Sequence, residues 1–254
     1  MCELFGFCSS KSYDLTNWLK EFYSHSSNHP HGWGLATFRG NAVSVEKEPV
    51  CADGSSYLRS RLSVPVTASL LLAHIRKASV GALEFSNCHP FVKEDTTGRL
   101  WTLIHNGTIF QSEKLEKYTQ IQQGSTDSER ILLYIVENID QMEKRIGREA
   151  TERERFDSLE SSIADIAPGN KVNLFIYDGE LLYVHANMAS SLHCLKLPDA
   201  VVLSTKPLSG EPWRETPLST VMAFRDGKEV YRGENKHHVY VEPKDDQEWL
   251  TFSI

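Results

Sequence analysis

The chain has no long basic run, no Cys-x-x-Cys pair and no apolar stretch approaching the ~18 residues that cross a bilayer, and each absence removes a class of function. Its net charge is −7 and its pI about 5.8, so it presents no positive footprint for nucleic acid or an anionic membrane. The densest charge, Glu143 to Arg155, alternates in sign and predicts a solvated helix face or connection. Five cysteines (Cys2, Cys8, Cys51, Cys88, Cys194) are scattered and odd in number, which argues against both a zinc ribbon and a disulfide framework. The N-terminus lacks the basic, apolar, small-residue order of a signal peptide, so a cytoplasmic location is expected. No HEXXH or similar metal signature occurs. His25, His29 and His31 stand in a Ser/Asn/Pro-rich loop, and His237-His238 late in the chain, where solvated histidines are common. Neither a metal nor a cofactor is expected.

What is present is ordinary globular composition: 254 residues, 40% hydrophobic and 24% charged, enough for a sizeable core. No repeat, linker or boundary divides it, so residues 1–254 are expected to form a single domain. The opening CELFGF predicts a buried strand. Leu15, Trp18, Leu19 and Phe22 have helical spacing. GLATF and AVSVEKE flank Arg39-Gly40-Asn41, a hairpin pattern, and Ala68–Ala73 and Leu100–Gly107 are strand candidates. Thr126-x-x-Glu129 predicts a capping box, followed by a helix with Ile131, Leu132, Ile135, Val136, Ile139 and Met142 on one face. Phe156–Ile166 predicts a second helix, stopped by Pro168-Gly169. Asp178-Gly179 and Asp226-Gly227 each sit between apolar runs and predict hairpins, and SLHCLKL and AVVLST add strands. Strands, then two helices, then hairpins indicate an α+β chain with antiparallel sheets.

The candidate chemistry begins at Cys2. Removal of the initiator methionine before a small residue would give this cysteine a free α-amine. With an intrinsic pKa of about 7.7–8.0, that amine can take the thiol's proton, so one residue supplies nucleophile and base. Arg76 in AHIRKAS follows an apolar strand and suits bidentate carboxylate recognition. Asn106 and Gly107 in HNG offer a side-chain amide and a backbone N–H to an oxyanion. Asp127 in GSTDSER could meet a substrate ammonium. His89 in SNCHPF and Trp33 in HGWG have the character of pocket lining. Each has a plain structural reading as well. Cys2 could simply open a buried strand, Arg76 could pair with a surface acid, Asn106-Gly107 could be a turn, and Asp127 could serve the helix dipole.

Taken together, MCELFGF, HGWG, AHIRKAS, NCHPF, HNG and TDSE occur in the order and approximate spacing of class II glutamine amidotransferases. The chain most closely resembles the small stand-alone subgroup typified by bacterial YafJ-like proteins and by fungal relatives in glutathione degradation and ergothioneine pathways. The motifs span residues 2–130, and the tail, with FIYDGELLYVHAN and VLSTKPLSGEPW, is similar too. The resemblance implies an N-terminal nucleophile (Ntn) hydrolase fold, a four-layer αββα sandwich of two antiparallel sheets. It implies Cys2 as nucleophile with its own amine as base, Asn106 and Gly107 as oxyanion hole, Arg76 on the substrate α-carboxylate and Asp127 on the α-ammonium. His89, Trp33 and Ser79 would line the pocket. The larger synthases of the class carry Trp-Ala-Thr-His after the arginine; here Lys77-Ala78-Ser79-Val80 keeps a hydroxyl but puts valine in place of the histidine.

The expected substrate is glutamine or a γ-glutamyl compound, with a separate ammonia-accepting or peptidase subunit as a candidate partner. Two rivals stand beside this expectation. One is a metal hydrolase built on the histidines; the other is a non-catalytic subunit that keeps the fold and binds a γ-glutamyl ligand or a partner.

Overall fold

Alternation along the strands builds the molecule, seen here in a computed structural model that describes residues 1–242. The end of the expected domain at residue 254 lies outside the described residues. In chain order the elements are β1 (Glu3–Asp14), α1 (Thr16–Ser24), β2 (Trp33–Arg39), β3 (Ala42–Glu48), α2 (Ser56–Arg61), β4 (Thr67–Ile75), β5 (Phe91–Glu94) and β6 (Leu100–Thr108). There follow α3 (Glu113–Glu116), α4 (Asp127–Ile146), α5 (Glu152–Ile166), β7 (Lys171–Tyr177), β8 (Leu182–His185) and β9 (His193–Lys196). The chain continues through β10 (Ala200–Ser204), β11 (Arg214–Glu215), β12 (Met222–Arg225) and β13 (Lys228–Arg232).

The strands form two antiparallel sheets, ordered β11-β9-β10-β1-β4-β2-β3 and β13-β12-β8-β7-β6-β5. In β1, Leu4 and Cys8 pack between the sheets, while Phe5 and Phe7 face α1 and α2. In β6, Ile104 points between the sheets, and Trp101 and Leu103 face α4 and α5. Side chains alternate with period two, so each central strand buries both faces. The result is four layers: helices, sheet, sheet, helices. The inner layer brings Leu4, Leu70, Leu72, Val201 and Leu203 of the first sheet against Ile104, Phe175 and Val184 of the second. Each fully buried side chain of this kind contributes roughly 1.5–3 kcal/mol.

Local sequence accounts for most boundaries. Asp226 and Gly227 both take positive φ, as a two-residue hairpin requires. The Asp178-Gly179 connection is built differently. Only Gly179 has positive φ there, and the Asp178 carboxylate accepts from the N–H groups of Glu180 and Leu181.

Two expectations are corrected. The Thr126 hydroxyl caps α4 by accepting from Glu129 N–H, but the Glu129 carboxylate bonds Gln123 and Gly124 N–H instead of closing the box. The complete capping box belongs to α5, between Thr151 and Glu154, so that helix starts four residues before Phe156. The charged run Glu143 to Arg155 does connect two helices, yet its ends are buried. Glu143 accepts from Ala150 N–H, and Arg155 pairs with Asp178 at 2.8 Å.

Candidate active site

The strand ends that meet between the sheets bring the predicted residues together. Leu4 lies on the inner face of β1, and the alternation carried back two residues puts half-buried Cys2 on the same side. Leu70 and Leu72 lie on the inner face of β4, which places His74 and Arg76 there too. On β6 the inner residue Ile104 is followed two positions later by Asn106, and on β7 Phe175 shares its face with Asn173 and Lys171.

The thiol sits against the chain just after β4. Cys2 Sγ accepts from Lys77 N–H at 3.3 Å and faces the Lys77 carbonyl at 3.6 Å. Burial pushes its pKa up, opposed by the Lys77 N–H and by the positive charges of the chain terminus and Arg76, while Asp127 adds to the rise. A thiol so placed is protonated at neutral pH and needs a base to become a nucleophile. Arg76 and Asp127 therefore lie near enough for their charges to act on the sulfur.

Arg76 is only 2% exposed. Its guanidinium donates to the carbonyls of Val80, Gly81 and Ala82, folding the 77–87 loop around it. Three of its five donors are committed in this way, so two N–H groups remain for a ligand carboxylate. Its backbone is tied to the HGWG segment, with Arg76 N–H donating to the Gly32 carbonyl and Arg76 O accepting from His31. His31 Nδ1 also accepts from Ala78 N–H. Asp127 opens α4, where the helix dipole favours a carboxylate. It accepts from Ser128 N–H and, at 2.7 Å, from Ile109 N–H just beyond Gly107.

Asn106 is buried, its carbonyl accepting from the Asn173 amide at 3.1 Å. Its own side-chain amide has no hydrogen bond among the described residues. Gly107 passes close to the neighbouring strand, leaving no room for a side chain. Ser79 is exposed, with Oγ 3.3 Å from Thr108 Oγ1, at the rim beside Gly107.

One predicted residue stands elsewhere, and another packs beside the inner-face His74. Trp33 is wholly buried on the outer face of β2, against Tyr23 and Tyr57, with its indole N–H on Glu48. Its inner-face neighbour Gly34, not the tryptophan, lies against the His89 carbonyl. HGWG therefore serves the site through its backbone. His89 is buried and stacked on His74 at 4.1 Å, with both ring nitrogens lacking hydrogen bonds among the described residues. Burial holds it well below the usual histidine range, so it is neutral.

Two residues beside the site went unselected. Asn87, in the quoted SNCHPF, donates to the Ala82 carbonyl and Ser125 Oγ and accepts from Ser125 N–H. It staples the Arg76 loop to the start of α4, and its place inside a motif was the available signal. Lys171 lies buried opposite Thr108, its Nζ against Met1 Sδ. Nothing in the sequence marks it.

Two of the loop histidines are engaged by the Glu3 carboxylate, His25 Nδ1 at 2.7 Å and His29 Nε2 at 3.6 Å, and that carboxylate also pairs with Lys206. Asp95, Asp140 and Glu143 come close enough to share a cation. They lie by Trp101 at the start of β6, the opposite end of that strand from Asn106.

Comparison with known proteins gives the family and the fold. A family model described as "Glutamine amidotransferases class-II" matches residues 1–200. The chain is 28% identical over 258 residues to an uncharacterized protein of Methanocaldococcus jannaschii, covering 91% of this chain and 71% of that one. It is 28% identical over 197 residues to YafJ of Escherichia coli, covering 76% of this chain and 75% of that one. In three dimensions it is similar to glutamine phosphoribosylpyrophosphate amidotransferase from Bacillus subtilis, with a TM-score of 0.68 at 18% identity. That likeness covers 92% of this chain and 49% of the other, and supports the Ntn-type arrangement of the two sheets.

Proposed function

Because the chain belongs to the class II glutamine amidotransferase family, we propose that Cys2, freed of Met1, attacks the γ-carbonyl of glutamine or a γ-glutamyl amide and forms a thioester. The observation that carries this reading is the convergence of the Cys2 thiol, the uncommitted Asn106 amide, Arg76 and Asp127 on the inner ends of β1, β6, β4 and α4.

The buried thiol needs a base. The nearby histidines are poor ones: His74, on the inner face, is held down at about 3 by burial, and His105, turned to Ser128 of α4, is lowered for the same reason. The Cys2 amine is covalently beside the thiol. It takes the Sγ proton, and sulfur adds to the γ-carbonyl carbon. The oxyanion is met by the Asn106 amide and Gly107 N–H. The ammonium returns its proton to the leaving nitrogen as the C–N bond breaks and the thioester forms. Water, deprotonated by the same amine, then releases glutamate.

Arg76 and Asp127 would meet the α-carboxylate and α-ammonium of the substrate. A simple amide would leave both charges buried without their ligand, which is how such a site rejects it.

The test is glutamate release from glutamine and from γ-glutamyl peptides by Met1-free protein, beside Cys2→Ser. Turnover of either substrate by the wild type alone supports the reading. Equal background from both proteins would overturn it in favour of a ligand-binding subunit.

A further inference from the structure

Lys171 has no role in the mechanism above, yet it is a buried cation set beside the N-terminus. It is 4% exposed. Its strand pairs it with Thr108, one step from Gly107, and its parity with Phe175 turns it to the inner face shared by Cys2. Its Nζ touches Met1 Sδ, and its one carboxylate neighbour among the described residues is Glu242, 3.7 Å away and half exposed. A buried ammonium with so distant a counter-charge is costly to retain. Excision of Met1 takes away the thioether, and Lys171 and Cys2 lie close enough for their charges to act on each other.

We propose, resting on the reading of Cys2 as nucleophile, that Lys171 is a positioning residue for its electrostatics: the ammonium keeps the Cys2 amine in its neutral, proton-accepting form and favours the thiolate. No bond to Lys171 forms or breaks. The thiol proton moves from Sγ to the Cys2 nitrogen, and Lys171 makes the resulting ammonium a better acid toward the leaving group.

Charged and titratable groups face this corner from every side. Arg76 and Lys77 approach from the end of β4, His105 from β6, His29 and His31 from the loop after α1, Asp127 from α4, and Glu242 from the C-terminal segment. In the Met1-bearing chain burial chiefly lowers the pKa of the terminal amine and Cys2 raises it, while Lys77 and Lys171 lower it further and Glu242 raises it. Lys171 and Glu242 thus oppose each other, which gives the test two signs.

The experiment measures the rate of Cys2 alkylation by iodoacetamide from pH 5 to 9, read by intact mass, in Met1-free wild type, Lys171→Met, Lys171→Arg and Glu242→Gln. For a charge a few ångströms away, the acid limb should move up by roughly one pH unit in Lys171→Met. It should stay near wild type in Lys171→Arg and move down in Glu242→Gln. A purely structural lysine would change stability but leave the limb where it is. An unmoved limb in Lys171→Met overturns the proposal. If that variant does not fold, an unmoved limb in Glu242→Gln overturns it instead. Wild type that resists alkylation at Cys2 at every pH would overturn the nucleophile reading, and this proposal with it.

Discussion

A Cβ atom placed on Gly107 would fall 1.9 Å from the carbonyl oxygen of Lys171, inside any permitted contact. The β6–β7 pairing and the proposed oxyanion donor therefore share one constraint. Gly107→Ala must push the strands apart, an overpacking cost of about 1–3 kcal/mol. The expected result is a lower urea midpoint together with turnover reduced at least tenfold, while a midpoint equal to wild type would show that the strand yields freely.

Asn106→Ala isolates catalysis from stability. The amide makes no hydrogen bond among the described residues, so its loss should leave the melting temperature nearly unchanged. Loss of one oxyanion donor costs on the order of 10²–10³ in kcat. Steady-state kinetics on the Met1-free enzyme check this, and a kcat within threefold of wild type would remove Asn106 from the mechanism.

Asn87→Ala acts through the Arg76 loop. The buried side chain makes three bonds that tie Ala82 to Ser125, and stranding such partners costs about 1–3 kcal/mol each. Both destabilisation and a raised KM for glutamine are expected, because the loop that folds around Arg76 loses its anchor. Denaturant melts and a KM-against-kcat comparison distinguish this from a loss confined to stability.

Acid should destabilise the fold through its buried histidines. Burial holds His74 down at about 3 and His185 at about 4, both below the ordinary value near 6.5. Below pH 6.5 the unfolded chain therefore binds protons that the folded chain refuses. Stability is complete above that pH and falls as pH drops toward 4. Each of these two histidines withdraws about 1.4 kcal/mol per pH unit in that window. Urea midpoints at pH 7.5, 6.5 and 5.5 measure the slope, and His185→Gln should flatten it.

Much of this was legible in the sequence because it is local. Short apolar runs bounded by polar or turn residues marked β1, β4 and β6, Asp-Gly marked the last hairpin, and the Thr-x-x-Glu pattern found the start of α4. The order of short motifs pointed to Cys2, Arg76, Asn106, Gly107 and Asp127, all of which the fold brings to one end of the sandwich. What was missed depends on stacking one sheet over another. Lys171 is indistinguishable from a surface lysine until the sheets close over it, and Arg155 looks solvated until Asp178 arrives from the β7–β8 turn. Trp33 between two glycines suggested a pocket. Strand alternation sends it outward and leaves Gly34 on the inner side.

The most direct measurement is the intact mass of purified protein before and after treatment with a glutamine-analogue diazoketone, for wild type and Cys2→Ala. The account predicts a wild-type mass lacking Met1, a single adduct located on Cys2, and no adduct on Cys2→Ala. Met1-free wild type that takes no adduct with excess reagent, or an adduct that persists in Cys2→Ala, would contradict it.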